Sequence, residues 1–182
     1  THGYPPEWGA APVVFARRSL EIRDILEGNR LFLRFDAVAA RSVFWLNGKR
    51  IGDHHDAFLP VELEITGQVP PGTHELVVGM LDYPRDPDNP RKTMIPSGNM
   101  FTEYLRGIWQ DAWLIERGPC FVESAVITPS VRNRELAYKL TLNGEVTGLD
   151  LTVTLAHWQG DAIPTLYEGP AQSRLSRRES WA

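Results

Sequence analysis

Between positions 106 and 115 the chain reads Arg106-Gly107-Ile108-Trp109-Gln110-Asp111-Ala112-Trp113-Leu114-Ile115. Gly107 permits a tight bend, and the residues after it favour extended backbone. On a regular strand Trp109, Asp111 and Trp113 share one side. Indole rings stack on the C–H faces of a sugar, and a carboxylate accepts bonds from its hydroxyls. This spacing therefore suits a carbohydrate contact at a strand entrance. The competing reading has both tryptophans in the core and Asp111 held by Arg106. Trp8 and Tyr104 are further aromatics able to stack on a ring, whereas Trp45 reads as core.

Other reactive residue types carry weaker signals. Asp53-His54-His55-Asp56 holds ligand-type side chains, but neighbours on extended backbone point to opposite faces and do not close on one ion. His74 is isolated and reads as a surface or edge residue. Ser97-Gly98-Asn99 is a turn with no His and acid partners at nucleophile spacing. Cys120, the single cysteine, excludes an internal disulfide and reads as a small buried hydrophobe.

The elements that must position these residues are strands. Residues 1–12, with Pro5, Pro6 and Pro12, form an extended entry. Strand patterns follow at 13–22, 31–36, 42–46, 61–65 and 75–81, with one helical turn expected at 24–28. Asn47-Gly48 between two apolar segments signals a tight hairpin. Residues 82–103 contain Pro84, Pro87, Pro90 and Pro96 without periodicity, a long loop of the kind that carries function and leads into Gly107. Strand patterns resume at 121–128, 136–142 and 149–155, and 157–182 shows no clear strand pairing. Many short strands with Gly/Pro turns imply an all-β sandwich over 1–118. A second sandwich over 119–182 is too short for the seven strands or so of an immunoglobulin-like domain.

Bulk properties narrow the partners. With 182 residues, 42% hydrophobic and 23% charged, the chain is globular in composition. Its net charge is −4 and no strong basic patch occurs, which argues against nucleic acid; Arg174, Arg177 and Arg178 read as a solvated tail. No apolar run reaches membrane-spanning length, so no membrane partner is expected. The chain opens on Thr1 with no signal peptide, so a removed export signal stays open, as does a cytoplasmic location.

Several segments resemble glycoside hydrolase family 2, which includes β-galactosidases, β-glucuronidases and β-mannosidases. Trp45-Leu46-Asn47-Gly48-Lys49-Arg50-Ile51-Gly52 is similar to the signature hairpin of its N-terminal sugar-binding domain. Pro71-Gly72-Thr73-His74-Glu75-Leu76-Val77-Val78 resembles the next turn and strand, and the stretch from Arg106 to Leu114 its most recognisable motif. Residues 126–129 resemble the first strand of the following immunoglobulin-like domain, so the likeness runs over roughly 13–155, most of a two-domain length. One departure stands out: many members carry His-x-Gly-Gly-aromatic where this chain has His54-His55-Asp56-Ala57-Phe58-Leu59-Pro60. The Asp-x-x-Leu-Pro arrangement is closer to the β-galactosidase branch.

The resemblance implies a galactose-binding-like jelly roll packed beside a catalytic barrel, with loops that help to line the substrate pocket. It implies that Asp111 reaches the sugar, that Arg106 lies close by, and that a cation can sit near Asp111; no other cofactor is implied. The two carboxylates that cleave a glycosidic bond are implied to lie on the barrel. No hydrolysis is therefore expected from these residues alone; Asn133-Arg134-Glu135 and Gly144-Glu145 are turn-like and in the wrong domain. The expected contacts to carbohydrate are Asp111, Arg106, Trp109 and Tyr104, and a homo-oligomer is left open. The alternatives are an autonomous carbohydrate-binding module and a structural spacer.

Overall fold

The computed structural model describes residues 11–39, 41–81, 88, 107–154 and 165–180, and the chain divides into two compact units, Thr1–Glu116 and Arg117–Ala182. Among the described residues the structure is all-β, as expected from the strand patterns, and no helix is long and apolar enough to cross a membrane.

In the first unit β1 (Val14–Ile22), β4 (Arg41–Leu46), β5 (Lys49–His55) and β7 (Gly72–Leu81) form a four-stranded sheet in the order β1-β7-β4-β5. A second sheet has the order β6-β2-β9, from β2 (Arg30–Phe35), β6 (Val61–Glu64) and β9 (Ala112–Arg117). Between them β3 (Val38–Ala39) pairs with β8 (Gly107–Ile108). Alternation makes the sandwich. Leu31, Leu33 and Phe35 of β2 join Val61 and Leu63 of β6, and Phe44, Leu46, Leu76, Val78 and Met80 face them from the other sheet. The Phe35 and Phe44 rings meet at 4.9 Å between centroids, at the tilt aromatic pairs favour.

Trp45 does not join that core. Alternation along β4 sends Phe44 inward and Trp45 to the opposite face, where it packs against Phe15 at 6.3 Å. Both rings lie over Gly79, where a Cβ would stand 2.9 Å from Phe15 and 3.0 Å from Trp45. A glycine in mid-strand thus gives two aromatics their seat.

The Asn47-Gly48 hairpin forms as expected, both residues at positive φ (50° and 76°) between paired Leu46 and Lys49. Asn47 also reaches across to β7. Its Oδ1 accepts the Glu75 amide at 2.9 Å, and its Nδ2 donates to His74 Nδ1 at 2.8 Å. His74 Nε2 donates to the Pro70 carbonyl at 2.7 Å, because that oxygen can only accept. His74 is therefore a buried bracket, 9% exposed, and not the surface residue its isolation suggested. The helical turn expected at 24–28 is instead a turn closed by Asn29 N donating to Leu26 O at 3.0 Å. Glu116 caps it, accepting from Leu26 N at 2.9 Å and Asn29 Nδ2 at 2.6 Å.

The second unit holds a sheet β10-β11-β14, from β10 (Phe121–Ser130), β11 (Glu135–Asn143) and β14 (Arg174–Ser180), and a pair β12 (Asp150–Thr154) with β13 (Thr165–Pro170). The last two strands fall where no pairing was expected. Arg174, Arg177 and Arg178 belong to β14, paired to β11, with Arg177 over the Tyr167 ring at 5.3 Å and Arg178 3.6 Å from Glu135. Among its described residues the segment buries Leu175 alone, so pairing with β11 supplies what its own composition does not signal.

The hairpin bracket sets a stability test. Asn47→Ala removes the acceptor for Glu75 and the donor to His74 and places alanine at positive φ, with an expected loss of about 2 kcal/mol. Urea unfolding of the two proteins measures it, and equal midpoints would contradict the bracket.

Candidate functional site

The stretch after Gly107 is not one regular strand. Trp109 N donates to Ala37 O at 3.3 Å, while Asp36 N donates to Asp111 O at 2.9 Å. Two residues on one side face three on the other, a bulge at Gln110 between β8 and β9. The alternation that would align Trp109, Asp111 and Trp113 is broken there, and the three side chains have different neighbours.

Trp109 turns to the loop after β5. Its Nε1 donates to Ala57 O at 2.8 Å, and its ring meets Phe58 edge-on at 5.7 Å and 74°. Trp113 turns to the outer side of β2, where its Nε1 donates to Asp36 Oδ2 at 2.7 Å. Neither tryptophan is core: Trp109 is 45% exposed and Trp113 50%. A buried indole N–H requires a partner, and each ring has one while part of its surface meets solvent.

Asp111 is exposed and lines a cleft of about 470 Å³ with Gln110, Arg17 and Arg18 at its polar rim. The floor is apolar, with Phe35, Leu76, Val78 and Ile108. Among the described residues that line the cleft, Gln110 is the one other side chain with an uncharged oxygen donor beside Asp111, and two arginines line the same cleft. These side chains by themselves do not make a cation site, which takes several oxygen ligands. Nor do Asp53, His54 and Asp56 form a metal cluster; no group of three or more ligand-type residues occurs among the described residues. Asp53 pairs with Arg50 at 2.6 Å and His54 Nε2 donates to Leu59 O at 3.1 Å. Asp56 accepts from two backbone amides, Phe58 N and Leu59 N.

Arg106, Tyr104, Trp8 and nearly all of the 82–103 loop lie outside the described residues, and Asp88 alone of that loop is placed, paired with Arg41. The structure adds Asp36, Arg34, Ala57 and Phe58 to the region. Arg34 Nε binds Asp36 Oδ1 at 2.7 Å and Arg34 Nη1 binds Glu62 at 3.2 Å. Arg34 first, and then the Trp113 indole, hold the Asp36 carboxyl below the ordinary aspartate range. Arg34 and Asp36 at alternate positions of a strand were a visible signal of a paired outer face; the Ala57 carbonyl carried none.

The fold is a jelly-roll β-sandwich domain followed by a second all-β unit. Residues 5–118 match the family model described as the sugar binding domain of glycosyl hydrolases family 2, and the chain belongs to that family. It is 25% identical over 114 residues to a β-galactosidase of Thermoanaerobacter pseudethanolicus, covering 62% of this chain and 15% of that protein. It is 24% identical over 140 residues to the β-galactosidase large subunit of Leuconostoc lactis, covering 75% of this chain and 21% of that protein. The chain thus spans under a quarter of the length of these curated relatives. A structure of Bifidobacterium dentium β-glucuronidase superposes with a TM-score of 0.73 at 18% identity, over 97% of this chain and 39% of that one, which shows a common fold.

The Asp36 contacts set a pH dependence. An aspartate held low when folded stabilises the chain above its unfolded value of about 3.9, and that contribution is lost as pH falls through the folded value. Melting temperature is expected to drop on acidification from about pH 4 downward, and less steeply in Asp36→Asn. Parallel curves for the two proteins would mean that the carboxyl is not held low.

Proposed function

We propose that this chain is the non-catalytic N-terminal portion of a β-galactosidase-like family 2 glycosidase. In this reading residues 1–118 are the sugar-binding-like domain and 119–182 part of an immunoglobulin-like one. The first domain helps to form the carbohydrate pocket of a catalytic barrel that carries the two hydrolytic carboxylates. Asp111 accepts bonds from sugar hydroxyls, Trp109 stacks on a ring face, and Arg106 and Tyr104 complete the contact. The family match and the β-galactosidase names of the relatives support the class. The observation that carries the site is Trp109, tied by its N–H to Ala57 yet 45% exposed. An indole fixed at its polar edge and open to solvent is a stacking surface that is already oriented.

An autonomous carbohydrate-binding module is the second reading, favoured by Phe58 standing beside Trp109 with 42% of its surface exposed. Calorimetric titration with galactosides, glucuronides and polysaccharides separates the two. The accessory reading expects no heat from this chain alone. Binding at about millimolar or tighter, abolished by Asp111→Ala or Trp109→Ala, would establish the module instead. In the full-length enzyme, Asp111→Ala is expected to lower kcat/KM for a β-galactoside by about tenfold or more, and an unchanged value would end the pocket reading.

A further inference from the structure

Asp53-His54-His55-Asp56 stood out in the sequence as a cluster without a metal to hold, and its place in the fold gives it another use. β5 ends at His55, and the chain must turn back toward β6. Asp56 Oδ1 accepts Phe58 N at 2.6 Å and Leu59 N at 2.7 Å, and thereby closes a turn with one carboxylate oxygen. The Leu59 carbonyl can only accept, so His54 Nε2 is the donor across the same turn at 3.1 Å.

The held turn has two outputs, and both go to Trp109. Ala57 is fully buried, and its carbonyl takes the indole N–H at 2.8 Å. Phe58, 42% exposed, sets its ring at 74° to the indole, 5.7 Å away. The result is an apolar corner of two fixed rings, each with surface open to solvent. Between β8 and β9 the Trp109 backbone bonds to Ala37, beside the bulge. The strand alone therefore fixes its backbone and leaves the ring direction to the loop.

We propose that the 54–59 loop is the scaffold of a preformed pyranose-stacking corner, with Asp56 as the positioning residue for the Trp109 ring. The inference rests on the reading of Trp109 as a sugar contact. It adds that the ring direction is set by a carboxylate cap that acts through the Ala57 carbonyl and the Phe58 ring, on this chain's own residues. A pyranose presents an apolar C–H face and a hydroxyl edge, and two rings near a right angle accommodate the face while leaving the edge to polar groups.

Hydrogen exchange of the Trp109 indole N–H, followed by NMR on the full chain, tests the positioning without any sugar. Asp56→Ala is expected to speed that exchange by about tenfold, while the Asn47 and Glu75 amides of the hairpin keep their rates. Asp56→Asn retains an acceptor for both amides and is expected to stay near wild type. Where Asp56→Ala does not fold, Asp56→Ser, which keeps a single shorter acceptor, is expected to show an intermediate rate. Unchanged exchange in the alanine or serine variant, or equal loss in the asparagine variant, would overturn the proposal. In the full-length enzyme, Asp56→Ala and Trp109→Ala are expected to be non-additive in kcat/KM, because the first acts through the second. Additive losses would also overturn it. Silence of this chain in a galactoside titration bears on the module reading alone and leaves the exchange result standing.

Discussion

The slip of one residue where 36–37 faces 109–111 is the constraint on which the rest of the first unit turns. On one side of it the chain runs beside β3, and on the other beside β2. A bulge is how an antiparallel pair absorbs an unmatched residue, at the cost of local ladder order and with a gain in twist. Here it also reassigns side chains. Trp109 is released toward the β5–β6 loop and Trp113 toward Asp36, and Asp111 is left at the rim of a cleft. Without the extra residue the three would stand in line on one face.

A second device holds the hairpin end of the four-stranded sheet. The hairpin after β4 is already laddered to β7 from Arg41↔Leu81 to Leu46↔Leu76, and Asn47 N donates to Glu75 O at 2.8 Å just past the last pair. The Asn47 side chain extends that ladder into the turn by bonding to both His74 and the Glu75 amide, and His74 passes the restraint to Pro70. The side-chain polar atoms of Asn47 and His74 at this half-buried sheet end are thus partnered, as desolvation demands.

Much of this was legible in the sequence, and the misses share a cause. Period-two runs such as Leu31, Leu33 and Phe35 announced both sheets, and Asn47-Gly48 announced its turn, because local sterics decide those features. His74 was misjudged because its partners lie 27 residues upstream and four residues back, on backbone and amide groups that no spacing displays. β13 and β14 were missed because their residues are polar on an exposed sheet, so strand formation there depends on a partner and not on composition. At the candidate site, Trp109 and Asp111 were visible as residue types, but a bulge leaves no mark in a string of letters. The Ala57 carbonyl and the Phe58 ring became partners of Trp109 only once the chain had folded across 52 residues.

The glycine beneath Phe15 and Trp45 has a further consequence for how the sandwich comes apart. Gly79 lies in the ladder between Phe15 of the edge strand and Val43 of β4, so the two rings roof the hydrogen bonds on both sides of it. Water attacks a sheet from its edges, and β1 is an edge of this one. Fraying of β1 is therefore damped at the end near Phe15, where the two rings cover the backbone of Gly79. The far end of β1 is held by other means: Ile22 is buried in the core and Glu21 accepts from Thr73 Oγ1 at 2.7 Å, just before the turn capped by Glu116.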